Sequence, residues 1–239
     1  MRKHVLRAGL LGVLAAVLIS AGPACKSPTS PDNPSENNPI IVYGAVTDID
    51  GNIYNAVILG TQTWMMENLK TTRYRNGDPI PTGLSDTVWS NTSSGAYAIY
   101  NNDNGNNTPY GKLYNWYAVS DGRQLAPAGW HVSTDDEWTT LVTYLGGLGV
   151  AGGKLKEAGT THWNSPNLAT NESSFTALPA GQRSWYGPFN DLGHYGYWWS
   201  ASEGFASGSW GWSMVNSENF VVRYNYTQKC GFSVRCVKD

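Results

Sequence analysis

The alternation of apolar and polar positions sorts much of the chain into elements. Ile40–Asp48 and Ile53–Leu59 read as strands on either side of Asp50-Gly51, a strong short-range hairpin signal. Gly60-Thr61-Gln62 then turns the chain into a third run, Thr63–Leu69. The period changes after residue 133. Trp138, Leu141, Val142 and Leu145 recur at helical spacing, Thr134 and Glu137 stand at the offset of a capping box, and Gly146-Gly147 ends the run. A second short helix is expected over Lys112–Val119, with Leu113, Trp116 and Tyr117 on one face. The last third returns to period two. Trp210, Trp212 and Met214 alternate with small residues, Phe220, Val222, Tyr224 and Tyr226 form a second series, and Phe232, Val234 and Cys236 a third. Three such runs predict an antiparallel meander.

The start of the chain follows a different pattern. Arg2, Lys3 and Arg7 precede an apolar run from Ala8 to Ala21, and Gly22 and Ala24 lead to Cys25. This is the form of a secretory signal peptide, too short for a span of about 20 residues. We expect residues 1–24 to be a signal peptide and Cys25 to be lipidated, as in a bacterial lipoprotein. Gly22 stands where a lipobox usually carries Leu, so plain cleavage after Ala24 is the alternative. Residues 25–39 follow as a tether, because KSPTSPDNPSENNP has four prolines and no apolar side chain to bury. Residues 40–239 make one domain with no repeat or second break. The expected location is outside the cytoplasm, at the outer membrane or cell surface, with the membrane reached through the lipid alone.

Composition narrows the function. Charged residues are 14% of the 239, against about 25% in ordinary domains. Loss of residues 1–24 removes three basic residues and no acid, moving the formal charge from −2 to −5. An acidic exported chain is a poor nucleic-acid partner. Three motifs fail on spacing or context. Gly147–Gly152 matches G-x-G-x-x-G after a helix where a strand is needed. Asp48-Ile-Asp50-Gly51-Asn52 puts glycine at position four of a calcium loop instead of six, so a hairpin turn is expected. Loop 101–107 offers oxygen ligands for calcium but only one carboxylate, Asp103. No G-x-S-x-G or H-E-x-x-H occurs. Asp135, Asp136 and Glu137 fit the positive end of a helix. Cys230 and Cys236 would lie about 20 Å apart on one extended strand, too far for a disulfide. No catalytic residue, cofactor or metal ligand is assigned.

The chain resembles a known family in five ordered blocks: VTDIDGNIYNAVILGTQTWMMENL at 46–69, YGKLYNWYAV at 110–119, GWHVSTDDEW at 129–138, YWWSASE at 197–203 and GFSVRCVKD at 231–239. These look like the Fibrobacter succinogenes major paralogous domain, a family of mostly exported bacterial lipoproteins and surface proteins. The blocks around Trp130–Trp138 and Tyr197–Cys236 are also similar to formylglycine-generating enzymes and C-type lectin-like domains. That resemblance implies an α+β fold, C-type lectin-like and loop-rich, with small antiparallel sheets and two or three short helices. Formylglycine-generating enzymes hold copper with a cysteine pair near the closing strand, where Cys230 and Cys236 stand here. The calcium-site motifs of sugar-binding lectins are absent.

The eleven tryptophans remain. Indole stacks on sugar C–H faces, and Asn, Asp and Glu take up hydroxyls. The expected role is therefore a non-catalytic binding module, with glycan or cell-wall polysaccharide as partner. Trp198, Trp199, Trp210 and Trp212 would stack, and Asn190, Asp191 and Glu203 would hydrogen-bond. The alternatives are a structural or adhesive surface module with protein partners, and an enzyme, either an oxidase or a glycosidase.

Overall fold

Ile40–Thr47 (β1) and Ile53–Leu59 (β2) pair antiparallel, as the Asp50-Gly51 signal predicts, and Gln62–Met65 (β3) returns against β2. The computed structural model describes residues 39–239. The expected signal peptide, Cys25 and all but the last residue of the tether lie outside the described residues. The first turn is closed by one side chain. Asp48 accepts hydrogen bonds from the amides of Asp50 and Asn52, from Asn52 Nδ2 and from the Tyr54 hydroxyl, so its oxygens are consumed by the turn.

A loop-rich stretch follows, with Asp86–Asn91 (α1), Tyr97–Ala98 (β4), Asn107–Tyr110 (α2), Leu113–Tyr114 (β5) and Trp116–Val119 (α3). The single helix expected over 112–119 is thus corrected. Leu113 and Tyr114 pair with β4 instead, and the helix starts only after Asn115, whose side chain accepts from the amides of Ala96 and Ala118. A capping Asn whose oxygen also ties a neighbouring strand resets the chain at that residue.

Trp130–Val132 (β6) leads into Asp135–Tyr144 (α4), whose capping box of Thr134 and Glu137 is formed as expected. Ala151–Leu155 (α5), Gln182–Arg183 (β7) and Phe189–Asn190 (β8) precede three longer strands, Tyr195–Glu203 (β9), Gly208–Val215 (β10) and Val222–Thr227 (β11), and the short Cys236–Lys238 (β12). β10 and β11 pair as the first two runs of the expected meander, and β9, which is not among its runs, pairs on the other edge of β10. The third run does not extend the meander. After a turn closed by Cys230 N–H to Thr227 O, β12 crosses into the first sheet and pairs with β3 and β6, giving the order β1-β2-β3-β12-β6. The fold is mixed α/β and loop-rich, with small antiparallel sheets and short helices.

Two apolar cores flank these sheets. Tyr54, Met65, Trp199 and Cys236 enter one, and their sequence neighbours or near neighbours Val57, Trp64, Trp198 and Val237 enter the other. Strand side chains alternate faces, so a sheet covered on both sides buries consecutive large residues. Buried cations join the pieces. Arg235 donates to Asn68 Oδ1 and to the carbonyls of Met65, Phe175 and Thr176. Lys156 is sealed and donates to the carbonyls of Val215, Asn216 and Glu218. Among the described residues no helix is long and apolar enough to cross a membrane.

Candidate functional site

The seven residues expected to hold a ligand do not converge. Trp198 and Trp199 are 0% exposed and Trp212 is 1% exposed. Their indole N–H groups are satisfied inside, by Asn68 Oδ1, Tyr114 O and Asp135 Oδ1. These three rings are core, and the expectation that they stack on ligand is corrected. The reason is the double-sided burial of β9 and β10, which leaves neither face free. Asp191 has φ +72° and pins a turn. Its carboxylate accepts from Gln182 Nε2 and the Tyr197 hydroxyl, and its carbonyl accepts from the amides of His194 and Tyr195. Asn190 is half-buried in the β7–β8 ladder, and Glu203 is exposed where β9 ends. Trp210 alone of the four rings is half-buried, and Arg223, stacked on it, lines a cavity.

That cavity has a volume of about 500 Å³ and lies between α4, the Gly147-Leu148 loop and strands β10 and β11. Two others, of about 230 and 300 Å³, flank Arg75. The large one is built from local rules. The Thr134 cap puts Asp135 at the first helical position, where a carboxylate suits the helix dipole. On the sheet, Arg223 stands opposite Trp212 and on the same face as Trp210. Arg223 reaches Asp135 with Nε at 2.8 Å and a terminal nitrogen at 2.7 Å, a two-point pair. Its guanidinium carbon lies 3.4 Å from the Trp210 ring centroid, within cation–π range. Its hydrogen bonds to the Asp135 carboxylate raise its pKa against the opposing effect of desolvation.

The result is a cation fixed in place by an indole below and a carboxylate at one edge. Trp212 Nε1 donates to the same carboxylate at 3.1 Å, so Asp135 is saturated. Val142 and Leu148 supply apolar wall, while Asp136, Thr139 and Thr143 line the helix side, exposed. Phe205, 64% exposed, packs edge-on against Trp210. An apolar wall with a few convergent polar groups is the common form of a small-ligand site. Sequence reading missed Arg223 and took Asp135 only as helix-end charge. The one signal was a lone arginine inside a Val/Tyr strand, and nothing in the order of residues joins positions 88 apart.

Elsewhere, His131 bridges two carboxylates, Nδ1 to Asp239 and Nε2 to Glu137, both at 2.7 Å. Desolvation lowers its pKa, but the two hydrogen bonds outweigh it and the net shift is upward. Cys230 and Cys236 are free and buried, and burial pushes the Cys230 thiol up to about 12 and raises Cys236 as well. Among the described residues no cluster of three or more His, Cys, Asp or Glu could hold a metal ion.

Comparison with known proteins gives one match. The model of the Fibrobacter succinogenes major domain covers residues 57–238. No curated protein and no solved structure matches the chain.

Proposed function

We propose a binding role from one premise: the chain belongs to the Fibrobacter succinogenes major domain family. The domain is a non-catalytic binding module, carried outside the cell on a lipid at Cys25, and the α4 groove takes a glycan or cell-wall polysaccharide. One observation carries this reading. Arg223 is held rigid by Trp210 and Asp135 at the wall of the cavity of about 500 Å³. Such preorganisation removes ordering cost from binding. Core packing does not need it, because Arg223 is 36% exposed. The same reading takes the domain as C-type lectin-like. Its support is that the terminal strands β1 and β12 share one sheet and that α4 packs beside it, with Trp138 on Trp64.

Glycan-array binding of the wild type, Arg223→Ala and Trp210→Ala is the test. We expect a tenfold or greater loss of affinity in each variant with unfolding midpoints near wild type. An array without a hit, or affinity indifferent to both changes, sinks the proposal. The protein-partner reading has its own observation. Trp185 and Tyr186 stand 54% and 51% exposed at the β7–β8 turn, and a pull-down that depends on them would favour it.

A further inference from the structure

The groove's hydrogen-bonding inventory is lopsided. Thr139 Oγ1 donates to Asp135 O at 2.9 Å, and Thr143 Oγ1 donates to Thr139 O at 2.7 Å. A hydroxyl has one proton, so both can only accept from a ligand. Asp136 is exposed, its carboxylate makes no hydrogen bond or ion pair among the described residues, and it too only accepts. The donors are fewer. Arg223 spends its Nε proton and one proton of a terminal nitrogen on Asp135, leaving three guanidinium N–H protons without an acceptor among the described residues.

Charge points the same way. Asp135 and Arg223 cancel as a pair, and Asp136 adds one uncompensated negative charge at the wall. The first turn of α4 offsets about half a charge of it. The wall stays negative and rich in acceptors. A carboxylate or phosphate brings charge of the same sign and no protons to donate.

Resting on the glycan reading above, we propose that this groove selects a donor-rich sugar, neutral or bearing a free amine, and that Asp136 excludes acidic sugars. A pyranose face would lie against the apolar wall of Val142 and Leu148, one ring or hydroxyl oxygen would accept from Arg223, and hydroxyl or ammonium protons would go to Thr139, Thr143 and Asp136.

Calorimetric titration with three matched β-linked oligosaccharides tests this: oligoglucosamine, its N-acetylated form and an oligohexuronate, each against the wild type and Asp136→Lys. Asp136 is an exposed position in the first helical turn, and circular dichroism with urea unfolding checks that the variant keeps its fold. We expect the oligohexuronate to bind wild type at least tenfold more weakly than the other two, and Asp136→Lys to reverse that order. Oligohexuronate binding as tight as the neutral sugar, or an order unmoved by Asp136→Lys, overturns the selectivity while leaving the glycan reading in place. Wild type that binds none of the three, with the array also blank, removes both.

Discussion

At the residue scale, polar atoms that two core elements share hold this protein together. Asn68 is the clearest case. Its Oδ1 accepts from Trp198 Nε1 and Arg235 Nε, and its Nδ2 donates to Tyr110 O and Ser233 Oγ. Replacing it strands several buried partners, each costing about 1–3 kcal/mol. Asn68→Leu should therefore destabilise more than Trp210→Ala, as urea unfolding would show. Trp198→Ala leaves a cavity and should cost roughly 3–5 kcal/mol, so lost binding in that variant would report lost folding. His131 gives a pH signature. Its folded-state pKa lies above the ordinary 6.5, so the stability its two carboxylate bonds supply is complete below 6.5 and is lost as pH rises through the folded value. Arg75 and Asp121 line the same cavity, and hydrogen bonding to Arg123 holds the Asp121 carboxyl down to about 2, ionised across this range. Unfolding free energy should fall as pH rises above about 6.5, and His131→Gln should flatten that slope. Little of this was legible beforehand: His131 on a strand flanked by Trp130 and Val132 signals only that it faces away from them, not which carboxylates arrive.

At the scale of elements, α4 is where local sequence and tertiary contact agree most closely. The Thr134–Glu137 box, the apolar spacing and the Gly146-Gly147 stop all come from neighbouring residues, and the helix forms as they predict. Glu137 goes further, since the oxygen that does not cap the helix accepts from His131 Nε2 and so links α4 to β6. Thr134→Ala should cost about 1 kcal/mol and, by loosening the turn that places Asp135, weaken ligand binding at the groove as well. A thermal shift paired with the glycan titration measures both effects. Lys156 ties the end of α5 to the segment after β10. Burial lowers its pKa to about 8, while three carbonyls hold its ammonium in place. Lys156→Met strands those carbonyls and should destabilise by roughly 3 kcal/mol or more. The helix expected over 112–119 failed because apolar spacing cannot report a capping Asn engaged from another strand.

At the scale of the whole molecule, the lipid proposed at Cys25 and the folding of the domain from residue 40 onward are tested separately. Metabolic labelling with palmitate should tag the wild type and not Cys25→Ser, and a chain beginning at residue 39 should unfold in one cooperative step with the midpoint of the full-length protein. The sequence alone determined what depends on neighbours a few residues apart: the β1–β2 hairpin, the α4 cap and stop, the β10–β11 pair and the family blocks. It also showed that the chain holds more indole than usual. Where that indole went was decided by tertiary structure. Period two says that Trp198 and Trp199 face opposite ways, but not whether either side meets water, because that depends on what packs there from residues 54–65 and 114–175. Likewise β12 left the meander for β3 and β6, and Arg223 met Asp135 across 88 positions. Hydrogen bonds and helical turns act over short chain distances and leave their mark in residue order. Burial and ion pairing join whatever the completed fold brings together, and no local spacing encodes them.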